Sequence, residues 1–508
     1  MTTPIILYRG GQLYSPADPA ATALLVRGEQ IAWLGPDSDA PAADTVVDLG
    51  GALVTPAFVD AHVHATDTGL TLTGLDLSGV RSAREVLYVL GAYAARLPAD
   101  AVVLGHGWDD STWPRAEQRP PDAAELDRAA GGRRVYLSQA SIHSAACSTA
   151  LLAAAPAAAA APGYHPSGWL RREAHHAVRE VALGSVSAAQ RRDAQLATLR
   201  HAAALGIAAV HECGGPGTSD EADFTDLLAL GGAARRLPEV HGYWGELLGA
   251  AKARELGAVG AGGDLYADGA RGHGYVTAEQ VRDHLLDCAA HEMQGGFHAI
   301  GDAAIGTVLD GFAMAAEKLG TDRLRAPRHR VEHAEIMNKR LIAGFVEYGI
   351  VASMQPAFDR LWGGERQMYA QRLGVARSLE SNPMGAMHGV GVALAFGSDS
   401  PVTPLDPWGG VRAAMWHFNP AHRMSARAAF AAHTRGGWRA IHQDDHGVLV
   451  PGRPATFAVW DTPAGRVGEL PTLLAEAVDL RGPHDPTPLP ACRATVLRGT
   501  PIYQGEGL

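Results

Sequence analysis

Two histidines separated by one residue, His62 and His64, are the first candidates for chemistry in this sequence of 508 residues. They close the segment FVDAHVH at positions 58–64, which is typical of a β-strand. Alternate side chains of a strand point to the same face, about 6–7 Å apart along the backbone, so both imidazoles can converge on one divalent ion. Because the chain has 23 histidines, such a spacing also arises by chance. The pair alone therefore leaves metal binding and a structural role open.

Three further residues with suitable side chains end β-like runs. His298 follows GGF, His333 follows RVE, and Asp399 follows AFGS. Barrel enzymes place their catalytic groups at the carboxyl ends of their strands. Any one of these histidines is more simply explained as a core or surface residue. Four histidines and one aspartate in equivalent positions indicate a metal site instead.

The elements that would position these residues alternate along the middle of the chain. Eight β-like runs occur, at 59–64, 207–212, 239–244, 265–268, 296–300, 330–335, 350–355 and 393–398. Capping boxes at Ser187–Gln190 and Thr277–Gln280 predict helices that extend to about Leu205 and about Glu292. Repeated strand–helix alternation predicts an α/β fold with a (β/α)8 TIM-like barrel.

Two parts of the chain depart from this alternation. Short apolar runs broken by glycine and proline at both ends predict one small β-sandwich domain from residues 1–56 and 445–508. The barrel is predicted to span 57–444, with 70–185 as an insertion after its first strand.

Composition narrows the class of protein. The net charge of -11 leaves no basic surplus for nucleic acid. No long apolar run predicts a secretory signal or a membrane span. Four widely spaced cysteines without a CxxC motif favour a reducing compartment. We expect a cytoplasmic protein whose partner is a small-molecule substrate, with no nucleic acid and no membrane, and a homodimer as an open alternative to a monomer.

Seven segments together carry a resemblance to a known family. They are TPAFVDAHVH (55–64), GHGWDD (105–110), GIAAVHE (206–212), YADG (266–269), HAIGD (298–302), VEHA (331–334) and GSDSPV (397–402). The chain resembles the amidohydrolase superfamily and, more narrowly, its amidohydrolase-3 branch, which includes enzymes like N-substituted formamide deformylase. The resemblance covers nearly the whole chain. It implies a metal held by His62 and His64 on strand one, His298 on strand five, His333 on strand six and Asp399 on strand eight.

One position departs from the family pattern. Many relatives have a lysine at the start of the fourth strand that is carboxylated and bridges two metals, whereas this chain has Asp264 there. An aspartate is much shorter than a carboxylated lysine. Asp264 either ligates one metal or faces solvent, and Glu212 and Cys213 are weaker candidate replacements. We therefore favour one ion over two. Zinc suits the ligands best, although iron, manganese and nickel are compatible with them.

The predicted mechanism follows from a Lewis-acidic metal. Such an ion lowers the pKa of a bound water from 15.7 to about 7 and polarises a carbonyl. The resemblance implies that Asp399 accepts the proton of the water and passes it to the leaving nitrogen, with helix capping as the structural alternative. His333 or His298 is expected to steady the carbonyl oxygen if only one ion is bound.

The substrate pocket is predicted less sharply. In the family the insertion covers the barrel mouth, which makes Trp108, Asp109 and His143 candidate substrate-binding residues, and Arg271 follows the YADG segment. For each of these residues, a role in packing or a position on an exposed loop is the alternative to substrate contact. Asp302 is expected to cap the helix after His298 and to orient that imidazole.

The leading hypothesis for function is hydrolysis of a C–N bond of the amide type in a small molecule. The same scaffold supports a deaminase and a hydrolase of cyclic amides or esters. A third hypothesis, motivated by Asp264, is a metal-binding homologue that has lost catalysis.

Overall fold

The computed structural model describes residues 4–115, 118–140, 144–216, 218–268, 274–462, 469–475, 478–479, 482–483 and 488–505. Within these ranges the chain folds into two compact units. The first comprises Met1–His64 and Leu199–Leu508, and the second comprises Ala65–Thr198. Among the described helices, none combines the length and the apolar composition needed to cross a bilayer.

The described strands are, in chain order, β1 (Ile5–Arg9), β2 (Gln12–Leu13), β3 (Ala23–Arg27), β4 (Gln30–Gly35), β5 (Thr45–Asp48), β6 (Leu53–Pro56), β7 (Phe58–Val63), β8 (Leu75–Asp76), β9 (Val103–Trp108), β10 (Val135–Gln139), β11 (Ser144–Cys147), β12 (Trp169–Arg171), β13 (Ile207–Gly214), β14 (Glu239–Trp244), β15 (Gly260–Ala261), β16 (Gln294–Ala299), β17 (Arg330–His333), β18 (Val351–Met354), β19 (Ala393–Phe396), β20 (Phe457–Asp461), β21 (Val478–Asp479), β22 (Gly482–Pro483), β23 (Ala491–Leu497) and β24 (Thr500–Gln504).

The described α-helices are α1 (Ala65–Thr73), α2 (Ala83–Ala94), α3 (Ala123–Ala130), α4 (Thr149–Ala154), α5 (Arg172–Gly184), α6 (Ala188–Ala204), α7 (Glu221–Leu230), α8 (Ala250–Glu255), α9 (Ala278–Ala290), α10 (Asp302–Leu319), α11 (Thr321–Arg325), α12 (Lys339–Tyr348), α13 (Pro356–Trp362), α14 (Met368–Leu373), α15 (Val375–Glu380), α16 (Met384–Gly389), α17 (Pro407–Met415), α18 (Ala426–Ala432) and α19 (Arg435–Ala440).

The predicted barrel is confirmed. Eight parallel strands follow one another in the order β19-β18-β17-β16-β15-β14-β13-β7. The two edge strands then meet, because the Asp399 amide donates to the His62 carbonyl at 2.8 Å and the His64 amide donates to the Ser400 carbonyl at 2.9 Å. Every residue of β7 and β13 is buried, as expected for parallel strands covered on both faces.

The fourth barrel strand lies earlier than predicted. The sequence favoured 265–268, but β15 is Gly260–Ala261. Gly262 and Gly263 follow with φ of +149° and +77°, conformations that L side chains rarely adopt. They interrupt the ladder, and Tyr266 resumes pairing only as an isolated bridge to His298. This interruption places Asp264 at the barrel mouth.

The small β domain is built from both chain ends, as predicted. One sheet has the order β4-β3-β1-β5, and the other, β2-β6-β20-β23-β24, combines amino-terminal with carboxyl-terminal strands. A single apolar cluster includes Leu24 and Val26 from the first part and Leu449, Phe457 and Val496 from the last. Hydrophobic burial therefore requires both ends of the chain.

The second unit is inserted after the first barrel strand, which confirms that part of the fold prediction. It carries a five-stranded sheet, β12-β11-β10-β9-β8, and two apolar clusters. Both predicted capping residues are also confirmed: Ser187 accepts from the Gln190 amide at the start of α6, and Thr277 and Gln280 form a complete capping box at the start of α9.

Gly206, at the turn from α6 into β13, gives a first testable prediction. Its φ is +79°, and an added Cβ would lie 2.2 Å from the buried indole of Trp460. Gly206→Ala combines left-handed strain of about 1–2 kcal/mol with overpacking of about 1–3 kcal/mol. We expect urea denaturation to show a loss of about 2–5 kcal/mol in the free energy of unfolding.

Gly452→Ala is the matched control for this prediction. Gly452 has nearly the same φ, +81°, but an added Cβ meets nothing within 4 Å. It should cost only the strain, about 1–2 kcal/mol. Equal losses in the two variants would show that the contact with Trp460 contributes nothing.

Candidate metal centre

The five residues predicted as ligands lie together at the carboxyl end of the barrel. His62 lies within β7 and His64 follows it, His298 lies within β16, His333 ends β17, and Asp399 follows β19. Parallel strands bring these ends to one rim, because each carboxyl terminus points the same way. Strand alternation gives His62 and His64 a common face, and their ring centroids are 5.4 Å apart.

His62, His64 and Asp399 converge on one point. The Nε2 atom of His62 lies 3.4 Å from Asp399 Oδ1. The Nε2 atom of His64 lies 3.2 Å from the same oxygen. Two imidazole nitrogens and one carboxylate oxygen therefore face each other, at the separations that ligands of one ion have.

His298 and His333 form a second group beside the first. The Nδ1 atom of His298 and the Nε2 atom of His333 are 2.9 Å apart. The Nδ1 atom of His333 lies 2.9 Å from Gln355 Oε1. An amide oxygen only accepts hydrogen bonds, so His333 carries its proton on Nδ1. Its Nε2 is thus an acceptor that points into the barrel mouth.

Asp264 lies between the two groups and does not face solvent. Its Oδ1 is 3.7 Å from His62 Nε2 and 3.3 Å from His298 Nδ1. Its Oδ2 is 3.2 Å from His64 Nε2 and accepts a hydrogen bond from the Tyr266 hydroxyl at 3.2 Å. One short carboxylate therefore reaches both histidine groups.

The charges in this cluster favour a bound cation. Burial by itself lowers the pKa of His64, but Asp264 and Asp399 outweigh it and raise that pKa well above its usual value. Burial opposes the ionised form of Asp264, yet hydrogen bonds from His298 and His64 hold its pKa well below normal. Burial and the neighbouring His298 lower the pKa of His333 to about 4. Two ionised carboxylates thus lie beside His64, which takes up positive charge, and near His333, which stays neutral.

A divalent metal fits this donor set. His62 Nε2 is fully buried and has no hydrogen-bond partner, although it faces two carboxylates, and an unsatisfied buried nitrogen is costly. Among the described residues, three groups of ligating atoms lie within 4.8 Å of one another: His62 with Asp264 and His333, His62 with His64 and Asp399, and His62 with Cys213 and Glu332. His62 belongs to all three.

The backbone is strained where two of these residues leave their strands. His333 has a φ of +70°, Ala334 of +48° and Asp399 of +57°. Non-glycine residues rarely adopt such angles, which cost about 1–3 kcal/mol each and cluster at functional sites. Regular strand alternation would point the His333 side chain away from the face that Glu332 occupies. The left-handed backbone at His333 turns its ring toward the barrel mouth.

Behind His62 lie two charged residues that were not predicted as part of the site, Arg330 and Glu332. Glu332 Oε2 accepts from His62 Nδ1 at 2.8 Å. Arg330 donates to both oxygens of Glu332, at 2.5 Å and 2.8 Å. The signal was present in the sequence: two charged residues with i,i+2 spacing face the same side of a strand that is otherwise apolar.

Asp60 and Asp268 also have roles that the sequence analysis missed. Asp60 accepts from the amides of His62 at 3.2 Å and Ser398 at 2.9 Å, and thereby ties the first barrel strand to the last. Burial raises the pKa of Asp60 to about 6, although these hydrogen bonds oppose that effect. Asp268 accepts from the Ile300 and Gly301 amides at 3.0 Å and 2.6 Å.

The expectation for Asp302 was wrong. Its side chain does not cap α10. Asp302 is half-exposed and pairs with Arg377 at 3.1 Å, so it does not orient His298. Asp268 holds the backbone of the turn after His298 instead, because the loop that follows the fourth barrel strand runs beside that turn.

Of the two weaker replacements for the missing lysine, only Cys213 lies at the centre. Its sulfur groups with ligating atoms of His62 and Glu332. Strand alternation directs His211 and Cys213 to the barrel interior and Glu212 the opposite way. Glu212 belongs to none of the candidate ligand groups found among the described residues.

Trp108 and Asp109, two of the predicted substrate-binding residues, belong to the second unit. Trp108 is fully buried in the core of the second unit, and its indole donates to the Leu137 carbonyl. Asp109 caps a short 3-10 helix by accepting from the Ser111 amide. His143 and Arg271 lie outside the described residues. Substrate contact by these four side chains stays a prediction.

Comparisons with known proteins agree with the fold and with the sequence motifs. A model of the amidohydrolase family, amidohydrolase-3, matches residues 45–503. The chain is 27% identical over 470 residues to Protein LONG AFTER FAR-RED 3 of Arabidopsis thaliana, a match that covers 82% of this chain and 79% of the relative. It is 32% identical over 139 residues to N-substituted formamide deformylase of Arthrobacter pascens, over 26% of this chain and 25% of the relative.

A solved structure shows the same fold at low sequence identity. The structure of an uncharacterized metal-dependent hydrolase from Pyrococcus furiosus superposes with a TM-score of 0.75 and 22% identity, and covers 90% of this chain and 99% of that chain. The family model extends from the fifth strand of the small β domain through the whole barrel to the last strand. The protein is therefore a hydrolase of the amidohydrolase family.

Proposed function

We propose that this hydrolase uses a divalent metal to cleave a C–N bond of the amide type in a small molecule. One observation carries the proposal: Asp399 Oδ1 lies 3.4 Å and 3.2 Å from the Nε2 atoms of His62 and His64. This carboxylate faces both imidazoles that would hold the ion. The same carboxylate would take the proton of the attacking water.

One ion is favoured over two, with His62, His64, Asp399 and Asp264 as its ligands. His298 and His333 hydrogen-bond each other; a protonated imidazole of this pair would donate to a carbonyl oxygen and so would not hold a second ion. Three to four nitrogen and oxygen ligands suit zinc, and iron, manganese and nickel are accepted by similar sets.

The chemistry divides between the metal and the protein. When bound, the ion supplies Lewis acidity that activates water and polarises a carbonyl. Asp399 is buried, but His62 and His64 hold its pKa below the usual value, so at neutral pH it is ionised and accepts a proton. It then donates that proton to the leaving nitrogen. His333, protonated on Nδ1, keeps an unprotonated Nε2 at the barrel mouth, where it accepts a hydrogen bond from His298.

A substrate screen with metal replacement tests this proposal. The protein is stripped with a chelator, reloaded separately with Zn²⁺, Mn²⁺, Fe²⁺ or Ni²⁺, and assayed for amine release from N-formyl and N-acyl amines. We expect turnover only after reloading. His62→Ala should lose both metal and turnover, whereas His388→Ala, at an exposed histidine, should lose neither. Turnover by the stripped protein would contradict the proposal.

The same screen separates the alternatives. Cyclic amides, cyclic esters and aminated heterocycles are included as further substrates, because the scaffold supports those reactions as well. Turnover of these compounds alone would replace the open-chain amide as the substrate class. A protein that binds metal tightly but hydrolyses nothing in any arm would support the degenerate homologue.

The expected surroundings of the protein are part of the proposal. All four cysteines are free, which supports a reducing compartment, the cytoplasm. The net charge of -11 favours a small molecule over nucleic acid as the partner. Neither a membrane nor another macromolecule is invoked, and a homodimer is the assembly we would test first.

A further inference from the structure

His62 is held from behind by a carboxylate that the mechanism above does not use. Glu332 Oε2 lies 2.8 Å from His62 Nδ1, and both side chains are completely buried. An ionised carboxylate only accepts hydrogen bonds. His62 therefore carries a proton on Nδ1, and the nitrogen left over, Nε2, is the one that faces Asp399 and Asp264.

Arg330 fixes Glu332 in turn. Its guanidinium donates to both carboxylate oxygens, from Nε at 2.5 Å and from one terminal nitrogen at 2.8 Å. Arg330 also donates to the Ala61 carbonyl at 2.6 Å and to His211 Nδ1 at 3.1 Å, and its guanidinium lies 4.2 Å from the Tyr243 ring. A planar donor with this many partners cannot move without breaking several bonds.

We infer that Arg330 and Glu332 are a positioning pair whose task is to present the Nε2 lone pair of His62 to the divalent ion. The inference rests on the proposed function and deepens it. Glu332 selects the Nδ1-protonated form of the imidazole and its ring orientation, and Arg330 keeps Glu332 ionised and immobile. Neither residue is among the four ligands proposed above.

The electrostatics of Glu332 agree with this role. Its carboxylate has no exposed surface and receives donors from Arg330 on both oxygens. This charge-assisted contact favours a carboxylate that accepts from His62. A carboxylate behind a ligating imidazole also raises the basicity of that imidazole, which strengthens metal binding.

Glutamine cannot replace Glu332 in this arrangement. Its amide has one accepting oxygen and one NH2 group, whereas three donors, one from His62 and two from Arg330, face the two oxygens of Glu332. One amide orientation opposes the NH2 group to His62 Nδ1–H, and the other opposes it to the Nε–H of Arg330. Glu332→Gln therefore disturbs His62 without a change of volume.

The test is the affinity of the metal-free protein for Zn²⁺, measured by competition with a chromophoric chelator. Glu332→Gln is expected to weaken binding about 10–100-fold, the usual cost of losing such a partner. Glu332→Asp, which keeps the charge beside Arg330 but withdraws its oxygens from His62, should also weaken it. The visible spectrum of the Co²⁺-loaded variants should shift, because the orientation of one ligand changes.

Glu239→Gln is the matched control. Glu239 also accepts from an arginine and pairs with a histidine, at 2.6 Å from Arg498 Nε and 3.2 Å from His241 Nε2, but at the start of β14, away from the carboxyl ends of the strands. The Glu239→Gln variant should be less stable than the wild type and should keep the wild-type affinity for Zn²⁺. The comparison separates positioning of His62 from the general loss of a carboxylate that pairs with an arginine and a histidine.

The outcomes distinguish a failure of the proposed function from a failure of the positioning role. A wild-type protein that does not bind Zn²⁺ would overturn the proposed function itself. A wild-type protein that binds, with a Glu332→Gln variant that binds equally well, would overturn only the positioning role. If Glu332→Gln fails to fold, Glu332→Asp decides: unchanged affinity and an unchanged Co²⁺ spectrum contradict the inference.

Discussion

Replacing Asp399 with asparagine is expected to reduce turnover about 100- to 10,000-fold while metal remains bound. General acid–base catalysis contributes a factor of this size. The amide of asparagine keeps an oxygen where Oδ1 stands, 3.4 Å and 3.2 Å from the nitrogens of His62 and His64. It cannot accept a proton at neutral pH, however. Steady-state kinetics on the best substrate from the screen and elemental analysis of the same sample measure both quantities.

Asp302→Asn is the control for the Asp399 variant. Asp302 carries the same functional group near the same rim, but it is half-exposed and forms a surface ion pair with Arg377. Its replacement should change turnover less than twofold, because an exposed ion pair contributes little free energy. Undiminished turnover in Asp399→Asn would contradict the assigned proton transfer, and loss of its metal would show that Asp399 acts chiefly as a ligand.

The second large effect concerns stability and not catalysis. Arg330→Met is expected to lower the free energy of unfolding by about 3–5 kcal/mol, because it leaves the Glu332 carboxylate buried without its charged partner. Both side chains of this pair have no exposed surface. Urea denaturation in the presence of a chelator measures this loss, since bound metal would otherwise add its own stabilisation.

Arg9→Met provides the comparison for Arg330→Met. Arg9 also donates to a carboxylate through two nitrogens, at 3.2 Å and 2.9 Å from Asp37, but its side chain is 50% exposed. Solvent screens this pair, and its loss should cost no more than about 1 kcal/mol. If Arg330→Met were no more destabilising than Arg9→Met, Arg330 would not be the counter-charge that the buried Glu332 requires.

How much of this site the sequence predicts depends on the rule that places each residue. His62 and His64 follow from strand alternation, and His298, His333 and Asp399 follow from their positions at strand ends, which parallel topology gathers at one rim. These rules are local or topological, and a single sequence contains them. The barrel and the split β domain are predicted for the same reason.

The remaining features depend on backbone paths that no periodicity encodes. Asp264 reaches the centre because Gly262 and Gly263 take positive φ angles and end the fourth strand early. Glu332 lies under His62 only because two strands distant in sequence approach in the barrel. Asp268 holds the turn assigned to Asp302 for a similar reason, since the fourth-strand loop runs beside β16.

The most direct test of the central claim is the metal content of the purified protein. Elemental analysis of wild-type protein and of a His62→Ala, His64→Ala double variant is compared with their turnover. We expect about one divalent ion per chain in the wild type and none in the double variant. Turnover should occur only where the ion is bound. A wild-type protein that hydrolyses its substrate without a bound ion, or a double variant that keeps both ion and activity, would contradict the central claim.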